Sequence, residues 1–352
     1  MKIFLFILDG CAVTQFEEAH TPFLDKIAED GMISLECNAI FPTATYTGHS
    51  SIITGNYPEK HGMIGNQFWD RQNECIRNFD DFDSNENIES PTIFELLPFS
   101  TCAICEPVTR GASLIIKKKI IDALPLKIQN RTICKYLKDS YAPEIDFYMV
   151  NFQGVDGVGE SEGPTSEEYL KCLEEVDKLL YSIKNQIHSD FVFIVTADHG
   201  MTTVEKNIDL ERELKRNGFQ VKCIASHRCS HIYSNSNIEE IENYLKSLPY
   251  IDKVFNSADI EEAHLNHERA GDLVVCAKKG FEFGEKKLNG SHGGATKDEM
   301  VVPFIVYDSK NKIIEHISLN SMSLLDICPT ILDFFDIKSN VDFQGRSLYS
   351  NY

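Results

Sequence analysis

The sequence predicts an α/β protein with a mostly parallel central sheet, helices on both of its faces and a small inserted α+β segment. Three observations predict it. The apolar runs KIFLFILD, TCAIC, DFYMVNF, FVFIVTA and PFIVYD are continuous rather than alternating, as strands covered on both faces are. Stretches with helical spacing fall between them. A chain of 352 residues with 42% hydrophobic and 25% charged content can bury one large core.

The elements follow in order. The first strand ends at Asp9. TPFLDKIAEDG reads as a helix with Thr21 as N-cap, Pro22 at its first position and its end near Gly31. HSSIITG is a further helical stretch. TSEEYLKCLEEVDKLLYSIKNQI is a long helix, with a capping-box spacing at Thr165 and Glu168 and an apolar stripe of Leu170, Leu173, Val176, Leu180 and Ile183. Residues 205–285, with HIYS, IEEIENYLKSL and DLVVCA, read as a small subdomain inserted between 1–204 and 286–352 of the main domain.

Composition excludes several classes. A formal net charge of −20 argues against a nucleic-acid polymer and against an anionic membrane surface. A small anion remains an acceptable ligand where metal ions supply positive charge. No run approaches the ~18 apolar residues of a membrane span, and the N-terminal run MKIFLFILDG is too short for a signal peptide. Eleven cysteines, an odd number, point to free thiols in a reducing compartment, hence a cytoplasmic protein. Cys102 and Cys105 form a lone CxxC that reads as small apolar residues of a strand.

The acidic residues carry the chemistry. Asp9, Asp156 and the Asp198–His199 pair each follow the end of a strand, and functional groups of parallel sheets collect at the carboxyl ends of their strands. His292, in the glycine-rich NGSHGGAT, can reach the same edge. VDGVGESEGP places Asp156 and Glu160 four apart, with Glu162 following. Taken alone it reads as a solvated acidic turn. Clustered carboxylates repel one another and resist desolvation, so the joint pattern calls for cations, and Asp, Glu and His are ligands of zinc and manganese. FPTATYTGHSSIITGNYPEKHGM brings hydroxyls at Thr43, Thr45, Tyr46 and Thr47 to the start of a helix, where an anion is stabilised. A hydroxyl beside metal ions can ionise and attack phosphorus.

With these motifs in place the chain resembles the alkaline phosphatase superfamily, in its nucleotide pyrophosphatase/phosphodiesterase branch. The resemblance rests on DG at 9–10, FPTATYTGHSSIITGNYPEKHG at 41–62, VDGVGESEGP at 155–164, TADHGM at 196–201, SHGG at 291–294 and LLDICPTILDFFDI…GRSL at 324–348, in family order. It implies an alkaline-phosphatase-like fold, two divalent ions (zinc first, manganese second) and a small phosphorylated, nucleotide-like substrate. It implies that Asp9, Thr45, Asp198 and His199 hold one ion, and that Asp156, Glu160 and His292 hold the other. Thr45 matches the nucleophile, which would form a phosphothreonine intermediate. Two positions depart from the pattern. Glu160 stands where the family has histidine, and Gly48 stands where it has an asparagine taken to bind a phosphoryl oxygen. The backbone N–H near Tyr46, or Asn66, would then bind the phosphoryl group. Tyr46, Phe68 and Trp69 could stack on a base, although GNQFWD reads equally as a packed anchor. Phosphonoacetate hydrolysis is an alternative, with Arg110 and Lys117–Lys119 as candidates for a substrate carboxylate, although KKK reads better as a solvated helix face. Phosphomonoester hydrolysis, or a degenerate nucleotide- or metal-binding protein without turnover, are the others.

Overall fold

The computed structural model describes residues 1–81, 84–284 and 287–349. A seven-stranded sheet lies at its centre, in the order Met32–Asn38, Val301–Asp308, Phe191–Thr196, Lys2–Ile7, Ile145–Asn151, Ser100–Ile104, Leu114–Ile116. Val301–Asp308 runs antiparallel to both neighbours, and the other pairings are parallel. The first strand of the chain is thus in the middle of the sheet, which is why every residue of Lys2–Ile7 is buried and its apolar run is unbroken. Tyr148 faces Tyr141, at the end of helix Leu126–Ser140, while its neighbour Phe147 meets Phe94 of helix Ile93–Leu96. Successive strand residues point to opposite faces, so helices cover both.

Helix Pro22–Asp30 starts at Thr21 with Pro22 first, as expected, but the Thr21 side chain does not cap it. The buried carboxylate of Asp177 does, accepting from Leu24 N–H (2.8 Å) and Phe23 N–H (3.3 Å). The long helix spans Glu167–Lys184 and is capped by Ser166, whose Oγ accepts from Tyr169 N–H at 3.2 Å. This replaces the expected Thr165–Glu168 box: the chain enters the helix one residue later. Its buried face is Tyr169, Leu173, Val176, Leu180 and Ile183, with Leu170 only half-buried.

A second, antiparallel sheet is ordered Lys222–Ser226, Cys229–Tyr233, Leu273–Ala277, Ile251–Phe255. Helices Leu210–Arg216 and Ile238–Ser247 pack on it around an apolar cluster of its own that includes Leu214, Ile232, Ile241 and Val275. Lys222–Ser226 and Ile251–Phe255 went unread in the sequence because both carry lysines and little apolar pattern. The expected boundary at 285/286 lies outside the described residues. The GNQFWD segment forms strand Gln67–Asp70 of a hairpin with Cys75–Asn78.

All eleven cysteines are unpaired, and only Cys75, Cys172 and Cys223 reach partial exposure. Cys102 and Cys105 are buried at the Ser100–Ile104 strand, and among the described residues no metal-binding group includes a cysteine. No helix among the described residues is long and apolar enough to cross a membrane.

Candidate metal centre

Strand register builds the centre. Ile7 pairs with both Asn151 and Thr196, so three strands end level. Asp9 and Asp198, each two residues further on, therefore lie side by side. Asn151 Nδ2 donates to Asp9 Oδ2 (2.8 Å), and Gly10 N–H donates to Asp198 Oδ1 (3.2 Å). The remaining oxygens, Asp9 Oδ1 and Asp198 Oδ2, are buried without a hydrogen-bond partner. Gly10 has φ +71°, and a Cβ there would stand 2.8 Å from Asp156 Oδ1, so the turn after Asp9 requires glycine. His199 Nδ1–H donates to the Gly200 carbonyl (3.0 Å), which leaves the lone pair on Nε2. That nitrogen faces Asp198 Oδ2 at 3.2 Å, Asp9 Oδ1 at 3.7 Å and Thr45 Oγ1 at 3.4 Å. A lone pair among carboxylate oxygens is repulsive unless a cation lies between them.

A second group adjoins it. His292 Nδ1–H donates to the Thr43 carbonyl (2.8 Å), and its Nε2 lies 3.8 Å from Asp156 Oδ1, another buried oxygen without a partner. The His199 and His292 rings stack at 3.7 Å. Asp156 and Glu160 share one face of helix Gly154–Glu162, not a turn. Packing on helices Leu126–Ser140 and Glu167–Lys184 overrides the low helix propensity of its glycines. Glu162 is exposed, whereas Glu160 turns inward, its Oε1 3.5 Å from His227 Nδ1.

The donors fit divalent cations. Burial, then the charge of Asp198, pushes the Asp9 carboxyl up to about 6, and burial with Glu160 pushes Asp156 well up. Burial takes His199 down to about 4, and burial with the neighbouring imidazoles takes His292 well down. Neutral imidazoles and mutually repelling carboxylates are what a bound cation would stabilise. Among the described residues three overlapping donor groups are present: Asp9–Asp198–His199, Asp156–His199–His292 and Glu160–His227–His292.

Thr45 opens helix Thr45–Thr54 as its first residue, with Ala44 as N-cap, so its hydroxyl is not consumed in capping. It faces a cleft of about 350 Å³. Tyr46 and Asn66 also line the cleft, and Tyr46 N–H donates to Asn66 Oδ1 at 3.2 Å. Three expected substrate contacts lie elsewhere. Phe68 packs on Phe79 (5.6 Å) beneath the Arg269 guanidinium (5.3 Å), and Trp69 lies under Lys222 (5.3 Å). Neither lines the cleft: alternation along a strand carries both rings into packing. Arg110 is engaged by Glu95 (3.0 Å) and by the Ser90 and Ile88 carbonyls. Lys118 does reach the cleft, between Asp80 (3.3 Å) and Asp122 (3.2 Å), instead of lying on a solvated face. Position 48 does not face the cleft, since a Cβ on Gly48 would stand 2.6 Å from the Asp198 carbonyl oxygen. The helix thus passes too close to the Asp198 loop to carry asparagine there.

Three residues escaped the sequence reading. His49, fully buried, contacts Glu106 Oε2 through Nδ1 (2.7 Å) and Asp198 Oδ2 through Nε2 (3.6 Å). Burial opposes its charge, but Glu106, with Asp198 and Asp9, lifts its pKa to about 9. Glu106 lies just beyond strand Ser100–Ile104, so the strand-end rule that singled out Asp9 would have found it. His227 had no motif around it.

A model of the type I phosphodiesterase / nucleotide pyrophosphatase family matches residues 3–299. The chain belongs to that family. It thereby falls within the alkaline phosphatase superfamily. Mouse ectonucleotide pyrophosphatase/phosphodiesterase family member 3 is 26% identical over 215 residues, 56% of this chain and 25% of that protein. Human family member 1 is 26% identical over 223 residues, 56% of this chain and 23% of that protein. The chain thus matches about a quarter of the length of these curated relatives. Among solved structures, murine ectonucleotide pyrophosphatase/phosphodiesterase 5 has a TM-score of 0.81 at 19% identity, covering 99% of this chain and 100% of that one. An inactive threonine-to-alanine variant of the murine protein, solved with AMP, has a TM-score of 0.80 at 18% identity, with coverage of 99% and 100%. Phosphonoacetate hydrolase from Sinorhizobium meliloti 1021 has 0.75 at 18%, covering 93% and 94%. At these identities the structures establish the shared fold, a mostly parallel central sheet with helices.

Proposed function

We propose that this family member is a divalent-metal-dependent hydrolase of small, nucleotide-like phosphodiesters or pyrophosphates, acting through a phosphothreonine at Thr45. The observation that carries the reading is the Thr45 hydroxyl at a helix N-terminus, 3.4 Å from His199 Nε2 and open to a cleft between acid–imidazole groups. Asp9, Thr45, Asp198 and His199 would hold one ion, and Asp156, Glu160 and His292 the other. Zinc suits the imidazoles and manganese the oxygens. When bound, the ions supply Lewis acidity that favours the Thr45 alkoxide and neutralises phosphoryl charge.

The chain's own groups do the rest. Thr45 Oγ1 attacks phosphorus in line, the bond to the leaving oxygen breaks, and that oxygen leaves with a proton. Water then cleaves the phosphothreonine, restores the hydroxyl and releases the phosphoryl product. Asn66, its Oδ1 fixed by the Tyr46 N–H, would offer its Nδ2–H to a phosphoryl oxygen beside Thr45 as a preorganised donor. Tyr46 also offers the cleft an aromatic wall, its hydroxyl tied to Asp80 at 2.9 Å. Segment 205–285 is proposed as an inserted subdomain, and eleven unpaired cysteines favour a cytoplasmic location.

Phosphonoacetate hydrolysis is the second reading, favoured by the fold likeness and by Lys118 in the cleft, although a substrate carboxylate would compete there with Asp80 and Asp122. A panel of a nitrophenyl phosphodiester, a phosphomonoester and phosphonoacetate, with Zn²⁺ or Mn²⁺, separates the readings. The diester is expected to turn over fastest, with the rate abolished by EDTA. Preferential cleavage of phosphonoacetate would replace the first reading with the second, and no turnover by the metal-loaded protein would leave only ligand binding.

A further inference from the structure

We propose that His227, at the tip of a hairpin on the small sheet, is a ligand of the second cation and restores the imidazole that position 160 lacks. The register Ser226↔Cys229 leaves His227 and Arg228 as a two-residue turn between Lys222–Ser226 and Cys229–Tyr233. His227 has φ +59°, while Arg228 is not in the left-handed region. The first position of such a turn ordinarily takes glycine, because a side chain there is strained. The strained residue is held by its surroundings. Arg228 N–H donates to the His292 carbonyl (2.8 Å), and Phe283 N–H donates to the His227 carbonyl (3.3 Å). Arg228 itself, fully buried, forms an ion pair with Glu299 at 2.7 Å, and Glu299 Oε1 accepts from Gly294 N–H at 2.8 Å. The hairpin tip and the loop carrying His292 are thereby locked backbone to backbone.

That lock aims the His227 ring into the cleft. Its Nδ1 lies 3.5 Å from Glu160 Oε1 and 3.5 Å from Glu282 Oε1, and its ring centre is 4.1 Å from that of His292. Donor atoms of Glu160, His227 and His292 all lie within 4.8 Å of one another. With Asp156 beside His292, the second site offers two carboxylates and two imidazoles. Four protein donors close a tetrahedral zinc site, whereas a six-coordinate ion such as Mn²⁺ keeps positions for substrate and water. The inference rests on the proposed two-cation reading but not on the identity of the phosphoryl substrate.

The competing role for His227 is a structural ion pair with Glu160 and Glu282. His227→Gly separates the two, because glycine relieves the turn while removing the ring. Chelator-stripped wild-type and variant proteins are titrated with Mn²⁺ by calorimetry, and apo thermal unfolding is recorded for each. The wild type is expected to bind two Mn²⁺. The variant is expected to keep one at wild-type affinity, to bind the second about 10- to 100-fold more weakly, and to unfold, without metal, at the same or a higher temperature. His227→Gln, which keeps the turn's strain, should lose the second ion likewise. Two ions bound at wild-type affinity by His227→Gly would overturn the proposal, as would a wild type that binds only one. Two ions in a wild type that cleaves no phosphodiester would overturn the proposed activity and leave the His227 assignment standing.

Discussion

Acidification should weaken the fold where the small sheet meets the Ile64 segment, through His231. Its ring is buried in strand Cys229–Tyr233 and is held in a single tautomer. Nε2–H donates to the Ile64 carbonyl (3.0 Å), and Nδ1 accepts from Gly271 N–H (3.1 Å). A second proton would point at a donor, and burial lowers the pKa from 6.5 to about 4. Between these values the unfolded chain binds a proton and the folded chain does not. The contribution of His231 is therefore intact above pH 6.5 and drains as pH falls toward 4. At about 1.4 kcal/mol per pH step, the loss reaches about 2 kcal/mol at pH 5 and about 3 kcal/mol at pH 4. Other buried histidines, among them His61, lowered to about 3, add to the acid sensitivity of the whole protein. The comparison is therefore with His231→Gln, which can donate and accept but does not titrate; the other groups cancel between the two proteins. Urea unfolding at stepped pH, followed by the single tryptophan, reports on the right region, because Trp69 N–H donates to Tyr233 Oη (3.3 Å) on the same strand as His231. The stability gap between wild type and variant should shrink by about 3 kcal/mol from pH 6.5 to 4. A gap independent of pH would refute the argument.

Thr45→Ala should lower kcat on the order of 10⁴-fold or more while metal content and fold persist, because Ala44, not Thr45, caps the helix; wild-type kcat in that variant would show that another group attacks phosphorus. Glu160→His should move the binding preference of the second site from Mn²⁺ toward Zn²⁺, since a carboxylate gives way to imidazole beside His292; identical Zn²⁺/Mn²⁺ preference in titrations of both proteins would reject Glu160 as a ligand. Arg228→Met should destabilise by about 3–5 kcal/mol in denaturant titrations, because it leaves the Glu299 carboxylate buried and unpaired. Adding Glu299→Gln should recover part of that loss, and full additivity of the two changes would argue against a direct pair.

The sheet was legible because its central strands are buried on both faces, which makes their apolar runs continuous. Lys222–Ser226 and Ile251–Phe255 were not, because each is five residues long, carries a lysine and shows no clean apolar run or alternation. Asp9, Asp198 and His199 could be placed by rule, since strand ends in register bring them together. Asp156 and Glu160 could be placed in sequence, but the helix that sets them on one face could not, because three glycines argue against a helix that only tertiary packing sustains. Phe68 and Trp69 follow the packed-anchor reading of GNQFWD and not the stacking one, because nearness in sequence to Thr45 says nothing about which way a strand turns its side chains; Arg110, singled out for its charge, is engaged by Glu95 and two carbonyls away from the cleft. His227 comes from a hairpin more than sixty residues from either neighbouring donor segment, and a histidine in a tight turn signals only that the turn is unusual.

The eleven unpaired thiols make this chain a recorder of its own breathing. Burial pushes Cys11 and Cys102 up to about 12, so in the closed protein they are protonated and unreactive. Each becomes available to a thiol reagent only during an opening that bares it. Cys229 and Cys276 face each other across the small antiparallel sheet, whereas Cys102 lies in the central one. Labelling rates read cysteine by cysteine would therefore time the parting of the small sheet separately from the opening of the central one, with no probe introduced into the molecule.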